Sequence, residues 1–194
     1  MKNFLQIATG VQTAPLLLEL QRQPELWDRN SARLTKNGPH HETHDIWLRY
    51  KDETENKKKG DYSNFSDPHD GVWYPAYYAL QTAKPLIFNL MAAVQGERLG
   101  GVLLYKIPPG RKIHPHTDTG WHVDYYDKFN IYLQADAKTA FCYATGEEIR
   151  AKSGDVYYFV NNVEHEVINK GDDDHIVLTV CIRIDKGGKS CLSG

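Results

Sequence analysis

The sequence predicts a mainly β protein with flanking helices, whose strands form a small antiparallel barrel or sandwich. After Gly100 the chain divides into short runs of β-branched and aromatic residues separated by turn residues, a pattern typical of strands. Before Gly100, apolar residues recur at helical spacing in two segments, which indicates helices that cover the β core.

The composition indicates one folded unit of 194 residues. Hydrophobic residues make up 41% and charged residues 25%, as in ordinary globular proteins. We expect residues 1–98 to form a helical and strand elaboration, 99–186 the β core, and 187–194 a loose tail. A net charge of −2 gives no general attraction to polyanions, so we expect a small molecule or peptide as partner, not nucleic acid.

We expect no export or membrane signal in this chain. Polar residues interrupt the first 21 residues, which therefore lack the apolar centre of a signal peptide. No run approaches the roughly 18 apolar residues of a membrane span. Cys142, Cys181 and Cys191 are odd in number and lack metal-type spacing, so we expect free thiols in a cytoplasmic protein. The oligomeric state stays open.

Strands are predicted first at residues 3–8 and 45–50. Helices are predicted at residues 13–21, where Thr13 is a plausible cap, and at 75–95, where Pro85 starts a second helix or kinks the first. The lysine-rich run at residues 57–60 predicts a solvated loop tip. The later strands are predicted at residues 102–106, 112–116, 129–134, 139–144, 147–152, 156–160, 166–169 and 176–184.

The segment 114–118 and the later His165 carry the candidate chemistry. Alternate residues of a strand point to the same side, so His116 and Asp118 project together. His165 follows an apolar strand and an Asn-Asn turn, and we expect it to head the next strand of a hairpin that folds back beside His116. Two histidines and one carboxylate hold divalent iron by three neighbouring positions and leave three positions open. The pattern therefore predicts an oxygenase.

A second His-x-Asp triplet, His122 to Asp124, has the same spacing. It lies in an aromatic stretch, whereas His116 closes the strand that follows a Pro-Pro-Gly turn. We therefore favour His116 and Asp118 as ligands. We expect His122 and Asp124 to form a rim that faces solvent or substrate, and His114 to lie at the surface.

Several segments in order resemble the aspartyl/asparaginyl β-hydroxylase family of Fe(II)/2-oxoglutarate-dependent oxygenases. These segments are residues 109–116, 130–133, 154–159 and 165–167. The resemblance implies a double-stranded β-helix (jelly-roll, cupin-like) core with a catalytic iron at His116, Asp118 and His165. It further implies 2-oxoglutarate and dioxygen as cosubstrates, and hydroxylation of an aspartyl, asparaginyl or similar side chain in a peptide, a protein or a free amino acid. Some members have glycine at the position of Asp118. The presence of the aspartate in this chain favours hydroxylation over halogenation.

The resemblance also implies cosubstrate-binding roles for Tyr105, Lys128 and Asn130. The family places an arginine for the far carboxylate of 2-oxoglutarate where this chain has His175. A histidine offers fewer hydrogen-bond donors to a carboxylate than the planar guanidinium group of arginine does. Arg183 is the alternative cation. If residues 170–174 make a turn, the middle of the last predicted strand faces His165. His175 and Arg183 then lie roughly 13 Å from that middle point in opposite directions, so both cannot hold one small acid. We keep His175 on positional grounds.

Two other classes of function stay open at this point. A cupin-like metalloenzyme without 2-oxoglutarate would use the same barrel and similar ligands, whereas in a non-catalytic β-sandwich binding module the histidines would be incidental. An aromatic and basic set from the first half of the chain could cover the barrel mouth, namely Trp47, Arg49, Trp73 and Tyr74.

Overall fold

The structure is a computed structural model that describes residues 2–30, 32–34, 37–64 and 67–184. In chain order the strands are β1 (Phe4–Ala8), β2 (His44–Tyr50), β3 (Val72–Trp73), β4 (Gly96–Ile107), β5 (Lys112–His116), β6 (Asp127–Gln134), β7 (Thr139–Tyr143), β8 (Glu148–Ile149), β9 (Val156–Phe159), β10 (His165–Asn169) and β11 (His175–Ile184). The helices are α1 (Ala14–Arg22), α2 (Thr54–Lys59), α3 (Pro75–Ala79), α4 (Ala83–Ala93) and α5 (Trp121–Tyr125), with a 3-10 turn at Pro24–Leu26.

The strands form two antiparallel sheets. The larger sheet has the order β1-β9-β6-β11-β4-β2-β3, and the smaller sheet has the order β5-β10-β7-β8. The predicted class, mainly β with flanking helices, is confirmed. Strands β1, β2 and β3 join the larger sheet, so the first part of the chain extends the same β framework.

Two apolar layers hold the framework together. One lies between the larger sheet and helices α1 and α4, and the other lies between the two sheets. Strand β11 is covered on both faces: Leu178 packs on the helix side and Val177 on the side of the smaller sheet. This explains why β11 is a nearly continuous apolar run. Each large side chain buried in this way contributes about 1.5–3 kcal/mol.

The predicted hairpin around residues 161–162 is wrong. Strand β9 pairs with β1 and β6 in the larger sheet, whereas β10 pairs with β5 and β7 in the smaller sheet. The segment between them therefore crosses from one sheet to the other. A turn sequence specifies that the chain reverses, but it does not specify which strand becomes the partner. The prediction that a turn at residues 170–174 makes β11 face His165 is wrong for the same reason, because β10 and β11 belong to different sheets.

The predicted loop tip at residues 57–60 is also wrong, because these lysines end helix α2. Gly60 ends that helix in the left-handed region at φ 65°, where glycine is favoured. Lys57 pairs with Glu53 at 2.5 Å one turn earlier, and cations suit the carboxyl end of a helix. Charge thus supports the helix that composition alone assigned to a loop.

Three further expectations can be compared with the described residues. Helix α4 begins at Ala83 and carries Pro85 in its first turn, so the predicted segment 75–95 forms two helices. Cys142 and Cys181 are free thiols, while Cys191 and the predicted tail 187–194 lie outside the described residues. Among the described helices, none has the length and apolar character needed to cross a bilayer.

Candidate metal centre

The three predicted ligands meet at the adjoining ends of two neighbouring strands of the smaller sheet. His116 ends β5, His165 begins β10, and the two residues face each other in the antiparallel register. Their rings lie 4.5 Å apart between centroids. One ligand atom from each of His116, Asp118 and His165 lies within 4.8 Å of the others. The structure therefore brings together a two-histidine, one-carboxylate set.

Backbone carbonyl groups fix the orientation of both imidazoles. The Nδ1 of His116 lies 2.8 Å from the carbonyl oxygen of His114, and the Nδ1 of His165 lies 2.8 Å from that of Val163. A carbonyl oxygen only accepts, so each Nδ1 carries the proton and donates it. Each Nε2 is left with a lone pair, which is the arrangement that metal-binding histidines use.

The two oxygens of Asp118 have different surroundings. Oδ1 lies 3.6 Å from the Nε2 of His116. Oδ2 contacts the ammonium group of Lys128 and accepts a hydrogen bond from the Asn161 side chain at 3.2 Å. Burial by itself raises the pKa of Asp118, but Lys128 and the two histidines outweigh it and hold the pKa well below its usual range. The carboxylate is ionised and keeps one oxygen directed at the histidines.

The surroundings of His165 favour its neutral form, which is the form that binds a metal ion. Burial lowers its pKa, and its ring stacks on Phe141 at 5.0 Å with an interplanar angle of 7°. Two Nε2 lone pairs and one carboxylate oxygen, each held by a hydrogen-bonded neighbour, suit a divalent transition metal such as iron. The residues present therefore fit the iron that the sequence predicts.

The three candidate ligands His116, Asp118 and His165, here called the metal set, line an inner cavity between the two sheets. The larger sheet supplies polar side chains to the opposite wall, among them Tyr105, Lys128, Asn130 and Thr179. Asn130 is buried, and its Oδ1 accepts a hydrogen bond of 2.7 Å from Thr179. A model of the aspartyl/asparaginyl β-hydroxylase family matches residues 79–183, more than half of the chain, including the whole metal set.

The chain belongs to the aspartyl/asparaginyl β-hydroxylase family. This family is one of Fe(II)/2-oxoglutarate-dependent oxygenases, so the chain belongs to that class of hydroxylases.

Solved structures share the fold at low sequence identity. A prolyl hydroxylase from Trichoplax adhaerens, in complex with a hypoxia inducible factor peptide fragment, is 10% identical with a TM-score of 0.62, and covers 99% of this chain and 88% of its own. A prolyl-4-hydroxylase from Pseudomonas putida is 18% identical with a TM-score of 0.52, covering 94% and 93%. A 2OG-Fe(II) oxygenase family oxidoreductase from Burkholderia pseudomallei is 15% identical with a TM-score of 0.52, covering 86% and 78%. No curated protein matches. The expected jelly-roll core is confirmed.

The residues considered for 2-oxoglutarate binding separate into two groups, one on the inner cavity and one away from it. Tyr105, Lys128 and Asn130 line the inner cavity with the metal set. His175 and Arg183 are not among the described residues that line it. His175 is buried beside Tyr132, 5.6 Å between ring centroids. Arg183 lies towards the other end of β11, where it pairs with Glu97 at 3.1 Å.

His175 is buried and lines a small pocket together with Gln134, Asp136 and Thr139. Neither ring nitrogen has a hydrogen-bond partner among the described residues, and burial lowers its pKa to about 4. It is therefore neutral near pH 7 and does not supply the positive charge that the family's arginine supplies at this position. The positional argument for His175 as the carboxylate partner finds no support in this geometry.

Arg33, which no sequence pattern indicated, is a cation that lines the cavity. This residue precedes β2 and pairs with the buried carboxylate of Asp45 through Nη1 at 2.7 Å. Its Nη2 lies 3.1 Å from the Nε2 of His40, whose ring meets that of His116 at 5.1 Å between centroids. One signal was available: Asp45 is an acidic residue at the start of a predicted strand, and a carboxylate that becomes buried there needs a cation nearby.

A second, outer cleft opens beside Asp118 and Lys128. Its wall includes Arg49 together with aromatic residues of the α5 region, among them Trp121, His122 and Tyr126. The second His-x-Asp triplet is therefore split: His122 lines the cleft, whereas Asp124 is exposed on another side of helix α5. Trp47 does not cover the mouth as expected, because it is buried between the sheets.

Proposed function

We propose that this protein uses iron held by His116, Asp118 and His165 to hydroxylate a carbon of an aspartyl, asparaginyl or similar amino-acid side chain. The observation that carries the proposal is the convergence of two oriented Nε2 atoms and one free carboxylate oxygen at the wall of a polar cavity. A facial set of this kind leaves coordination positions for a chelating acid and dioxygen.

The charges around the cavity suit a dianionic cosubstrate. Arg33 and Lys128 are each paired with one carboxylate, Asp45 and Asp118. These four charges cancel, so the two positive charges of Fe(II) remain. A dianion such as 2-oxoglutarate would neutralise them, which favours its entry into a site partly shielded from water.

Within this proposal, Arg33 takes the place of the family's missing arginine. A guanidinium group has five donors in a fixed planar fork. Among the described residues, Arg33 contacts Asp45 through Nη1 and His40 through Nη2. Tyr105, Asn130 and Thr179 line the same cavity and offer further polar contacts. Lys128 keeps Asp118 Oδ2 occupied, so that Oδ1 is the oxygen presented to the metal.

When bound, iron and 2-oxoglutarate supply the oxidising power of the reaction with dioxygen, and succinate and carbon dioxide are the coproducts. The residues of this chain position and shield the reactants. Phe141, Phe159 and Val167 form an apolar wall beside His165 and limit the access of water. Asn161 and Lys128 hold Asp118 in one orientation while reactants enter and leave.

The outer cleft is the proposed substrate site. Arg49 places positive charge along it, whereas the charge of Lys128 is balanced by Asp118. Trp121 and Tyr126 provide aromatic surface. This combination suits a polar or acidic side chain carried by a peptide or a free amino acid. The Trichoplax adhaerens neighbour of similar fold is in complex with a peptide fragment, which agrees with a peptide as one of the two substrate forms.

The test is substrate-stimulated succinate formation in air with Fe(II) and 2-oxoglutarate, using a panel of amino acids and aspartyl or asparaginyl peptides. We expect Asp118→Ala and His116→Ala to abolish it, because each removes a metal ligand. Asp124→Ala is the matched control from the second triplet and should keep wild-type turnover. Undiminished turnover in His116→Ala would contradict the proposed iron site.

A second candidate is a cupin-like metalloenzyme that does not use 2-oxoglutarate. It is favoured by one observation, the neutral His175 where the family's arginine is expected. Calorimetric titration of 2-oxoglutarate into Mn(II)-loaded protein under anaerobic conditions separates the two. Saturable binding supports the hydroxylase, and no binding at millimolar 2-oxoglutarate supports the second candidate.

A further inference from the structure

We propose that His41, Glu42 and His114 form a second metal site, separate from the iron site and suited to zinc. One ligand atom from each of the three side chains lies within 4.8 Å of the other two. The Nε2 of His41 is 4.0 Å from Glu42 Oε1, and the Nε2 of His114 is 3.8 Å from Glu42 Oε2. Nothing in the proposed hydroxylase reaction uses these three groups.

The hydrogen bonding of the cluster leaves a lone pair on His41 and an unpartnered nitrogen on His114, as far as the described residues go. The Nδ1 of His41 faces the Gly38 carbonyl oxygen at 2.8 Å, so this nitrogen donates and Nε2 carries the lone pair. The Nε2 of His114 is buried and has no hydrogen-bond partner among the described residues. An ionised Glu42 offers acceptors only. Buried polar atoms are normally satisfied, and a cation shared by these three groups would satisfy them together.

Glu42 is already held in place for this role. Its Oε2 accepts a hydrogen bond of 3.2 Å from the backbone N–H of Lys112. The guanidinium group of Arg111 lies 3.7 Å from Oε1 and is the competing cation. The side chain of Arg111 is 60% exposed, so it can turn into solvent when a metal ion takes its place.

Two imidazoles and one carboxylate are a common zinc ligand set, with water as the fourth ligand. Zinc bonds of about 2.0–2.1 Å at tetrahedral angles place ligand atoms roughly 3.3 Å apart. The observed separations of 3.8 and 4.0 Å are about half an ångström wider. His41 and Glu42 are partly exposed at 36% and 24%, so small side-chain rotations close this gap.

A metal ion here would fasten the segment before β2 to strand β5. The His41 and His114 rings already stack at 4.5 Å, and the backbone N–H of His114 donates to the Pro39 carbonyl oxygen at 2.9 Å. The same segment carries His40, which contacts both Arg33 and His116. The site would therefore act as a structural clamp on the part of the cavity wall that the first half of the chain provides.

The test is zinc chloride titration of the metal-free protein by equilibrium dialysis with elemental analysis. We expect two equivalents in the wild type and one in His41→Ala and in Glu42→Gln, whose second-site affinity should fall at least tenfold. His44→Ala is the matched control, since this exposed neighbour pairs with Asp28 outside the cluster, and it should bind two. One equivalent in the wild type, or two in His41→Ala and in Glu42→Gln, would overturn the proposal.

A variant of the iron site keeps the two proposals distinguishable. His116→Ala should lose one equivalent and keep the zinc bound by the second site. The double variant His41→Ala/His116→Ala should bind none. If His116→Ala binds no zinc while His41→Ala binds one equivalent, zinc binds only at the iron site and the second site is contradicted. If His116→Ala still binds two equivalents, the iron-site assignment fails while the second site stands.

Discussion

The ammonium group of Lys128 contacts Oδ2 of Asp118, the oxygen next to Asn161, and leaves Oδ1 3.6 Å from the Nε2 of His116. Both side chains of the pair are about one-fifth exposed. Burial alone lowers the pKa of Lys128, but Asp118 more than offsets this and raises it. A charged lysine thus neutralises the carboxylate in metal-free protein and sets which oxygen faces the metal.

Replacing Lys128 should make the fold depend more strongly on metal. Lys128→Met leaves Asp118 without its cation, so the metal-free variant should lose about 3 kcal/mol of unfolding free energy. A bound divalent ion replaces the missing charge, so Mn(II) should raise the melting temperature of the variant more than that of the wild type. Lys138→Met, which removes an exposed lysine, should match the wild type. Equal Mn(II) shifts in both variants would contradict this role of Lys128.

Asn161 should support metal binding without being a ligand. Its side chain donates to Asp118 Oδ2, and its carbonyl oxygen accepts the Asp118 backbone N–H at 3.0 Å. Loss of such an orienting contact typically lowers metal affinity 10–100-fold, and we expect Asn161→Ala to lower Mn(II) affinity about tenfold. The neighbouring Asn162 is exposed, so Asn162→Ala is the matched control. The prediction fails if both variants bind Mn(II) alike in calorimetric titration.

Arg33→Lys should weaken 2-oxoglutarate binding and leave metal binding unchanged. The variant keeps the charge that Asp45 needs but loses the planar fork. The loss of one charge-assisted hydrogen bond of about 1.4 kcal/mol raises the dissociation constant of 2-oxoglutarate about tenfold. Arg183→Lys should have no effect, because that residue pairs with Glu97 outside the cavity. Titration of Mn(II)-loaded proteins checks this, and the opposite order of effects would reassign the carboxylate to Arg183.

His175 should make the protein less stable in acid. Its pKa in the folded protein is about 4, below the ordinary value of 6.5. As pH falls below about 6.5, the unfolded chain therefore binds a proton before the folded chain does, and stability is lost until pH reaches about 4. At about 1.36 kcal/mol per pH unit, the loss approaches about 3 kcal/mol.

The variant His175→Leu should lack this part of the acid sensitivity. Urea unfolding at pH 7, 5.5 and 4 measures the free energy of unfolding for both proteins. We expect the difference between wild type and variant to shift in favour of the variant by about 3 kcal/mol from pH 7 to pH 4. Parallel pH curves would show that His175 is protonated in the folded protein at the same pH as in the unfolded chain.

Local patterns in the sequence determined the fold class and indicated two of the candidate metal ligands. Strand alternation is a property of neighbouring residues, so it predicts His116 and Asp118 on one side without knowledge of the rest of the fold. In the structure β5 ends at His116, and Asp118 follows two residues later. The turn before β5 distinguishes this triplet from His122 and Asp124. The ordered segments after Gly100 were sufficient to indicate the β-hydroxylase family, which the family model confirms.

Only the tertiary structure decided which strand lies beside which, and therefore which residues surround the candidate metal site. The segment before β10 crosses between sheets, so His165 meets His116 and Tyr143 instead of a residue of β11. Arg33 comes from a polar stretch without periodicity, and its position follows from long-range pairing with Asp45. Sheet partners and buried ion pairs depend on packing between distant segments, and a sequence pattern carries no record of those distances.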